Sequence, residues 1–319
     1  MAKKTLKAAV IGTGNMGKNH VRIYGELQLL CAIADTNEKL GQDLAAKHDA
    51  NYYADYKELI EKEEPDIVSI CVPTSLHHQV GKYCLSKGIH VLLEKPIAMN
   101  AKEGQDLLDT AKKHKVSLMV GHIERFNPAV VKVKEMIKKG ELGNITAIMA
   151  RRVGGFPPQI KDADIAVDLA IHDIDIVNYL LEEQPREIHS NKLRNHIKHR
   201  EDSVEFFLKY ASTSAYIQAN WITPVKIRKL NITGTEGYLE MDFITQKIEF
   251  YKSNYEKFEK EFDGFSDFIL RFSDPEKFSI SVAKKEPLKE EILHFIKSVT
   301  NNKPIDSTFA LDALKIALK

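Results

Sequence analysis

The chain has 319 residues, of which 43% are hydrophobic and 29% charged, a balance typical of soluble globular proteins. Ordinary domains contain about 100–200 residues, so this length predicts two domains. The 46 basic and 45 acidic residues leave a formal net charge of +1, which argues against nucleic-acid binding because such binding needs a basic excess. The three cysteines form no CxxC pair, and no stretch approaches the ~20 apolar residues of a membrane span, so we expect a cytoplasmic protein without a membrane segment.

The first part of the chain alternates short apolar runs with longer amphipathic segments. The apolar runs predict strands at Leu6–Ile11, Leu29–Ala34, Ile67–Cys71, His90–Leu93 and Ser117–Val120. The amphipathic segments predict helices at Gly17–Leu27, Lys39–His48, Tyr56–Lys62, Leu76–Lys87 and Ala101–His114. Such alternation is typical of an α/β fold with a doubly wound parallel sheet, covered by helices on both faces.

The pattern changes after Gly121. Two helices, Pro128–Lys138 and Asp168–Leu181, flank a strand at Ile145–Arg152, and six strands with short turns follow between Glu187 and Tyr251. This part predicts an α+β domain with a large open, mostly antiparallel sheet. Residues 254–285 show no clear period, and helices are predicted at Pro287–Val299 and from about Thr308. We therefore predict domains at residues 1–121 and 122–319, with the last helix (about 308–319) packing back on the first domain; its pattern is still running at Lys319.

A glycine-rich loop follows the first predicted strand directly. Its sequence is Gly12-Thr13-Gly14-Asn15-Met16-Gly17, a GxGxxG motif that opens a helix. In Rossmann domains the first glycine permits a tight turn, the second lets the backbone approach a pyrophosphate, and the third lets helix and strand pack closely. Asp35 ends the next strand, where a carboxylate accepts hydrogen bonds from ribose hydroxyls and repels a 2′-phosphate. The motif predicts NAD, rather than NADP, bound by this loop and Asp35; the alternative is a glycine turn that only packs.

Two more strand ends carry polar residues. Cys71-Val72-Pro73-Thr74 closes the third strand and is followed by His77, and Glu94-Lys95-Pro96 closes the fourth. Ligands bind at the carboxyl edge of an open parallel sheet. The candidate cofactor contacts at this edge are therefore Pro73, Thr74, His77, Glu94 and Lys95. Pro96 is a candidate for a cis bond, and solvated side chains at an ordinary strand end remain the structural alternative.

A second polar cluster lies in Asp168-Leu-Ala-Ile-His172-Asp173-Ile-Asp175. At helical spacing Asp168, His172, Asp175 and Tyr179 share one face of a mostly apolar helix, as the lining of a site requires. The pattern lacks a distinctive metal-ligand spacing, so no metal is predicted. A capping and salt-bridge role for Asp168 is the structural alternative.

Together these motifs resemble the Gfo/Idh/MocA oxidoreductases. The resemblance rests on Ala9–Gly17, Glu94–Pro96 and Asp168-x-x-x-His172, and on Gly121–Pro128, which resembles the segment that leads such chains into the second domain. Within the family, Arg151–Pro158 followed by Asp168–Asp175 resembles the UDP-N-acetylglucosamine 3-dehydrogenase group. The similarity spans nearly the whole chain, and the order of the motifs is more specific than any one of them.

The resemblance implies that Lys95, Asp168 and His172 meet in the cleft between the domains and oxidise a sugar hydroxyl with NAD. His172 would accept the hydroxyl proton, Lys95 would stabilise the charge that develops on the oxygen, and Asp168 would orient the sugar or His172. Two alternatives stay open. The substrate is a free polyol or sugar such as an inositol, or the protein is a regulator that binds NAD without turnover.

Substrate contacts are expected near the start of the second domain. Arg125, Arg151 and Arg152 are three of the nine arginines in the chain, and guanidinium forks suit a diphosphate. Strand alternation lets only one of Arg151 and Arg152 face a site, and we predict Arg152. The candidate substrate contacts are Arg125, Arg152, Phe156, Asp168 and His172, with ordinary surface charge as the alternative for the arginines.

The predicted open sheet has an apolar face of its own. We expect Ile217, Ala219 and Trp221 to be exposed on it, and large exposed apolar faces mark interfaces. The family resemblance implies homodimers or homotetramers formed through that sheet. A core position for Trp221 is the alternative.

Overall fold

A computed structural model of the chain describes residues 6–156, 164–253 and 275–319. These residues form two compact units. The first contains the described residues up to Ile123 together with Glu286–Leu318, and the second contains the described residues from Glu124 to Lys285. Pro157 and Pro158 of the predicted substrate loop, and residues 254–274 of the aperiodic segment, lie outside the described residues.

A six-stranded parallel sheet forms the centre of the first unit. Its strands are β1 (Ala8–Ile11), β2 (Leu30–Ala34), β3 (Asn51–Tyr53), β4 (Ile67–Ile70), β5 (His90–Glu94) and β6 (Leu118–Gly121). They lie in the order β3-β2-β1-β4-β5-β6, which is the order of a Rossmann dinucleotide-binding fold. Strands β1 and β4 are buried along their whole length, as expected for the middle of a parallel sheet covered on both faces.

Five helices connect these strands: α1 (Gly17–Glu26), α2 (Glu38–Lys47), α3 (Tyr56–Glu63), α4 (Thr74–Ser86) and α5 (Ala101–His114). Asn37, Asp55 and Asn100 cap α2, α3 and α5 by accepting a hydrogen bond from a backbone N–H of the first turn. Helices α1 and α4 begin without a side-chain cap. Because they start at the carboxyl ends of the central strands, their first N–H groups face the edge at which such sheets bind ligands.

The described part of the second unit contains an eight-stranded sheet and two α-helices. The helices are α6 (Pro128–Lys138) and α7 (Ile171–Leu181). The strands are β7 (Ile145–Val153), β8 (Glu187–Leu193), β9 (Ser203–Lys209), β10 (Ser214–Asn220), β11 (Ile227–Gly234), β12 (Gly237–Asp242), β13 (Lys247–Lys252) and β14 (Glu276–Ile280). Their order is β14-β13-β12-β11-β7-β10-β9-β8, and only β7 and β10 pair in parallel. The predicted fold class, a Rossmann sheet followed by an α+β domain with a large, mostly antiparallel sheet, is confirmed.

The two faces of this second sheet differ from the prediction. Ile217 and Ala219 are fully buried and Trp221 is 4% exposed, so these three residues belong to the covered face. The prediction that they are exposed is wrong. Alternation along β10 shows that one face of the strand is apolar, but it does not show which face of the sheet is covered by other elements. The open face instead carries Met149 and Phe207, which are 54% and 45% exposed.

The chain returns to the first unit at its end. Helices α8 (Pro287–Thr300) and α9 (Thr308–Ala317) both belong to that unit, whereas the sequence placed only the last helix there. Lys289 of α8 forms an ion pair of 2.9 Å with Glu26 of α1. The Ser307 hydroxyl donates a hydrogen bond of 2.7 Å to the Leu118 carbonyl at the start of β6. Among the described residues, none of the helices combines the length and the apolar composition needed to cross a bilayer.

Candidate functional site

The glycine loop has the geometry of a dinucleotide cradle. Gly12 has a φ of +87°, which L side chains rarely adopt, and a Cβ at Gly17 would lie 1.9 Å from the Gly12 carbonyl oxygen. A Cβ at Gly14, in contrast, would meet no protein atom within 4 Å. Gly12 and Gly17 are therefore needed by the fold, whereas the space above Gly14 is open to a ligand.

Asp35 lies beside this loop at the end of β2. Its Oδ2 accepts two hydrogen bonds from Thr13, one from the backbone N–H and one from the hydroxyl, both at 2.6 Å. Its Oδ1 accepts the Asn37 N–H at 2.7 Å. A carboxylate has about four acceptor positions, so one remains for a ribose hydroxyl.

The rest of the loop suits an anion. Asn15 is exposed and Met16 is half-buried at the start of α1, and the first turn of α1 contains no acidic residue. Uncapped N–H groups at a helix N-terminus attract phosphate. The residues predicted to bind the cofactor at Gly12–Gly17 and Asp35 thus fit the pyrophosphate and ribose of NAD.

The predicted contacts at the ends of β4 and β5 separate into two kinds. Pro73 occupies the N-cap position of α4, and Thr74, 9% exposed, begins the helix. His77 is 1% exposed, and its two ring nitrogens lie 2.7 Å from the Pro96 carbonyl and 3.0 Å from the Val72 carbonyl. A neutral imidazole has one N–H, so His77 donates to one of the two carbonyl oxygens, and its ring lies between the two strand ends. Its predicted contact with the cofactor is corrected accordingly.

Glu94 also points inward, although the sequence predicts it at the cofactor. It is 9% exposed, and its Oε1 lies 3.1 Å from Nε2 of the buried His20. Its Oε2 accepts the backbone N–H of Lys95 at 3.3 Å. Lys95 is half-buried, and its bond to Pro96 is cis, as the sequence suggests. Glu94 therefore supports the lysine from behind instead of facing a ligand.

In the second unit, Asp168 and His172 come from a helix that begins irregularly. A π-helical turn at Ala166–Ala170 precedes α7, so the predicted regular helix Asp168–Leu181 is corrected at its first turn. Asp168 lies in the π turn, His172 is the second residue of α7, and both are half-buried. A four-residue step leaves two side chains on one face in either helix type, and π turns occur frequently at functional sites. The pairing of Asp168 with His172 on one face agrees with this geometry.

Arg152, predicted to bind substrate, is instead enclosed by acidic residues. It is 5% exposed, and its Nε and Nη2 donate to the two Asp173 oxygens at 2.8 and 2.9 Å. Its Nη1 donates to Glu124 at 3.0 Å. Burial opposes the charge of Arg152, but the two carboxylates outweigh burial and raise the pKa of the guanidinium. Because the fork is occupied by Asp173 and Glu124, the prediction that Arg152 binds a diphosphate is corrected.

Arg125 is occupied in the same way. Its Nε and Nη2 donate to the two oxygens of the buried Asp175 at 2.8 and 2.6 Å, and its guanidinium lies 4.8 Å from the centre of the Tyr179 ring. The predicted position of Asp175 on the site-lining face is therefore corrected. Asp173 and Asp175 lie one and three residues after His172, so the two arginine pairs hold the helix that presents this histidine.

Phe156 remains available on the surface. It is 41% exposed, and its ring meets that of Trp221 edge to face at 5.5 Å. The guanidinium of Arg200 lies 5.8 Å from each of the two rings. Phe156 is the last residue of the Arg151–Pro158 segment that the structure describes.

The sequence analysis did not identify two residues that lie near the candidate site, His20 and Arg228. His20 looks like a solvated helix residue, and its burial depends on Ser69 and Glu94, which lie far along the chain. Arg228 faces Arg152 in the pairing of β11 with β7, and burial, followed by the charge of Arg152, lowers its pKa. Its Nη1 donates to the Val153 carbonyl. The scarcity of arginine in the chain is the one sequence signal that marks Arg228.

Comparison with known proteins agrees with this architecture. Residues 6–122 match the model of an oxidoreductase family with an NAD-binding Rossmann fold, and residues 130–240 match a Gfo/Idh/MocA C-terminal domain. The fold and these matches thus define an oxidoreductase with an NAD-binding Rossmann domain. The chain belongs to the Gfo/Idh/MocA family, as its motifs predict.

Several relatives cover most of the chain. It is 24% identical to UDP-N-acetylglucosamine 3-dehydrogenase from Acidithiobacillus ferrooxidans over 300 residues. The aligned residues make up 94% of this chain and 90% of that protein. A solved structure of that enzyme has a TM-score of 0.85 at 24% identity and covers 98% of this chain and 95% of that one. A levoglucosan dehydrogenase complex with NADH and levoglucosan has a TM-score of 0.81 at 19% identity, with 98% and 94% covered. D-glucoside 3-dehydrogenase from Escherichia coli is 30% identical over 195 residues, which are 57% of this chain and 55% of that protein.

Proposed function

We propose that this chain oxidises a ring hydroxyl of a sugar, the 3-hydroxyl of a UDP-N-acetylhexosamine, with NAD as hydride acceptor. The observation that carries this proposal is the similarity to a UDP-N-acetylglucosamine 3-dehydrogenase along nearly the whole length of both chains. The matches to inositol and glucoside dehydrogenases extend over little more than half of the chain.

Three side chains are assigned to the chemistry. His172 takes the hydroxyl proton, because imidazole ordinarily titrates near neutral pH. Lys95 donates a hydrogen bond to the reacting oxygen and stabilises the charge that develops there. Asp168 orients the sugar or His172. When bound, NAD supplies the hydride acceptor.

The binding residues are assigned to the same two regions of the chain. Gly12–Gly17 and Asp35 bind the cofactor, with Pro73 and Thr74 at the neighbouring strand end. Phe156 offers an aromatic face to the substrate, and Arg228 is the arginine beside Asp168 and Arg152. Arg125 and Arg152 act indirectly, by holding the helix of His172.

The pairing of Arg125 and Arg152 with buried aspartates favours a second candidate. Both guanidinium groups are already paired with aspartates, so neither is placed to bind a diphosphate. A free polyol or sugar has no diphosphate and would need no such contact. The chain would then act on an inositol or a simple hexose with the same three catalytic side chains.

A nicotinamide absorbance assay over UDP-sugars and free polyols separates the two candidates. We expect NADH formation with a UDP-N-acetylhexosamine, and calorimetric binding of UDP alone. Turnover of a free polyol without UDP binding would replace the first candidate by the second. The Lys95→Met variant serves as the control for absorbance changes that do not arise from turnover at this active site.

The open face of the second sheet supports an assembly of like chains. Met149, Phe207 and Tyr216 are exposed there around a shallow cavity of about 230 Å³. We propose a homodimer or homotetramer formed through this face, since exposed apolar patches mark interfaces. Light scattering should give a mass of two or four chains, and Phe207→Glu should lower it; a monomeric wild type would contradict the proposal.

A further inference from the structure

Behind Lys95, the first unit contains a buried chain of hydrogen bonds. Tyr24 and Ser69 are joined at 3.0 Å, Ser69 and Nδ1 of His20 at 3.0 Å, and Nε2 of His20 and Glu94 at 3.1 Å. Tyr24 and Ser69 are fully buried and His20 is 1% exposed. The chain runs from the interior of the unit to the carboxylate that accepts the backbone N–H of Lys95.

This chain has a definite direction while Glu94 is ionised. Nε2–H of His20 then donates to Glu94, so Nδ1 accepts from the Ser69 hydroxyl, and Ser69 accepts from Tyr24. The direction of the hydrogen bonds in this chain therefore depends on the negative charge of Glu94.

A second carboxyl from another part of the sequence lies in the same region. Glu291 of α8 is fully buried, and neither of its oxygens has a hydrogen-bond partner among the described residues. Its Oε2 would lie 3.6 Å from a Cβ at Gly121, the residue that pairs with Glu94 across β5 and β6. The Glu291 carboxyl thus lies beside the end of β5.

The two carboxyls differ in charge. Burial, followed by the charge of Glu94, raises the pKa of Glu291 well above its usual value. Burial is the largest single influence on Glu94 and opposes its ionisation, but the opposing influences, led by the hydrogen bond from His20, together outweigh burial and lower the pKa of Glu94. Lys95 and His77 act on Glu94 in the same direction. Like charges in one buried region favour this division into one neutral acid and one carboxylate.

We infer that His20 and Glu291 are positioning residues for Lys95: they distribute the protons of this buried cluster so that Glu291 stays neutral and Glu94 keeps the negative charge beside the lysine. The Oε2 of Glu94 accepts the Lys95 backbone N–H, and its negative charge attracts the lysine ammonium. The inference rests on the proposed function only in taking Lys95 as the reactive lysine.

A metal ion is the competing interpretation of the same atoms. One ligand atom each of His20, Cys71 and Glu94 lie within 4.8 Å of one another. However, a metal ligand must be deprotonated, whereas burial and the nearby Glu94 and Glu291 raise the pKa of the Cys71 thiol well above its usual value. His20 and Glu94 are also already joined directly at 3.1 Å.

Infrared difference spectroscopy tests the neutral state of Glu291 without any substrate. We expect the wild type at neutral pH to show the carbonyl stretch of a buried protonated carboxyl. Glu291→Gln should remove this band and Glu290→Gln, on the same helix, should retain it. A spectrum without the band, or a band that survives in Glu291→Gln, overturns the inference.

Trace acetylation read by peptide mass spectrometry tests the effect on Lys95. Only the unprotonated amine reacts, so Glu94→Gln should accelerate labelling of Lys95 about threefold or more relative to the other lysines. His20→Leu should act in the same direction, and His20→Gln, which keeps an N–H donor, should restore the wild-type rate. His78→Gln, which alters a half-exposed histidine paired with Asp106, is the matched control.

An unchanged Lys95 rate in both Glu94→Gln and His20→Leu overturns the inference. Stoichiometric metal in the purified protein, measured by elemental analysis, also overturns it, since His20 and Glu94 would then be ligands. Neither readout involves turnover, so failure of the proposed function leaves both tests valid.

Discussion

Each unit contains one buried cluster of charge, and the two clusters are built differently. In the second unit, Arg152 meets Asp173 and Glu124 through three hydrogen bonds of 2.8–3.0 Å, so a permanent cation is matched by carboxylates. In the first unit, His20 joins Glu94 while Glu291 lies near them, and no arginine belongs to the described part of this cluster.

The difference separates support from adjustable charge. Arginine stays protonated at every accessible pH, so the Arg152 cluster has one charge state and one geometry. A histidine with two carboxyls has several proton distributions of similar geometry. The first arrangement suits a fixed support for the helix of His172, and the second suits a group whose charge must respond to its neighbours.

The largest expected effect concerns Lys95, through which the adjustable cluster acts. Lys95→Met should lower kcat/KM for a verified substrate about 10³-fold, or about 4 kcal/mol of transition-state stabilisation, because the donor to the reacting oxygen is lost. NADH affinity, measured by fluorescence titration, should change less than about threefold. Retained turnover would show that neither Lys95 nor the cluster behind it contributes to the reaction.

Breaking the permanent pair should instead affect stability. Arg152→Met leaves Asp173 and Glu124 buried without their cation and should lower the free energy of unfolding by about 3 kcal/mol in urea denaturation. Arg151→Met, at the exposed neighbour on the same strand, should change it by less than about 0.5 kcal/mol. Equal effects of the two substitutions would contradict a structural role specific to Arg152.

The titratable cluster should reveal itself in the pH dependence of stability. The folded pKa of Glu291 is raised, so the folded state keeps a proton that the unfolded state releases above about pH 4.5. Stability should therefore fall as pH rises from that value. Glu291→Gln should remove this contribution to the slope, so its stability relative to the wild type should increase as pH rises, in urea denaturation series. Parallel curves for the two proteins would argue against a neutral Glu291.

The smallest effect is expected at the cofactor loop, where a carboxylate keeps one acceptor position. Asp35→Asn should weaken NAD binding about tenfold, since hydrogen bonds to charged groups contribute about 1.5–3 kcal/mol each. Binding of NADP should weaken less, because the repulsion of a 2′-phosphate is removed. Calorimetry with both cofactors measures the ratio, and an unchanged preference would place the ribose away from Asp35.

Much of the first unit could be predicted because its signals are local in sequence. The glycine motif, Asp35 at the next strand end and the run into Lys95 each combine a spacing with a strand or helix boundary. The strand Asn51–Tyr53 was missed because three half-exposed or exposed residues give no apolar run. The edge strand Glu276–Ile280 was missed for a similar reason, since four of its five residues are exposed.

Side-chain partners distant in sequence could not be predicted. Alternation along β7 showed that Arg151 and Arg152 face opposite sides, but not that Asp173 and Glu124 would meet the inward one. Glu291 sits in an ordinary amphipathic helix, and only its packing against β5 shows that it is buried. Such residues are fixed by contacts that form after the local elements exist.

The return of α8 and α9 to the first unit has a consequence for biosynthesis. Residues up to Ile123 leave the ribosome early, whereas Glu291, Ser307 and Leu311, which complete the same unit, are translated after the whole second unit. In that interval the nascent sheet lacks two of its covering helices, and the surfaces of α1 and α5 that they contact are open to chaperones or to other nascent chains. Synthesis of the first unit therefore starts before that of the second unit and ends after it.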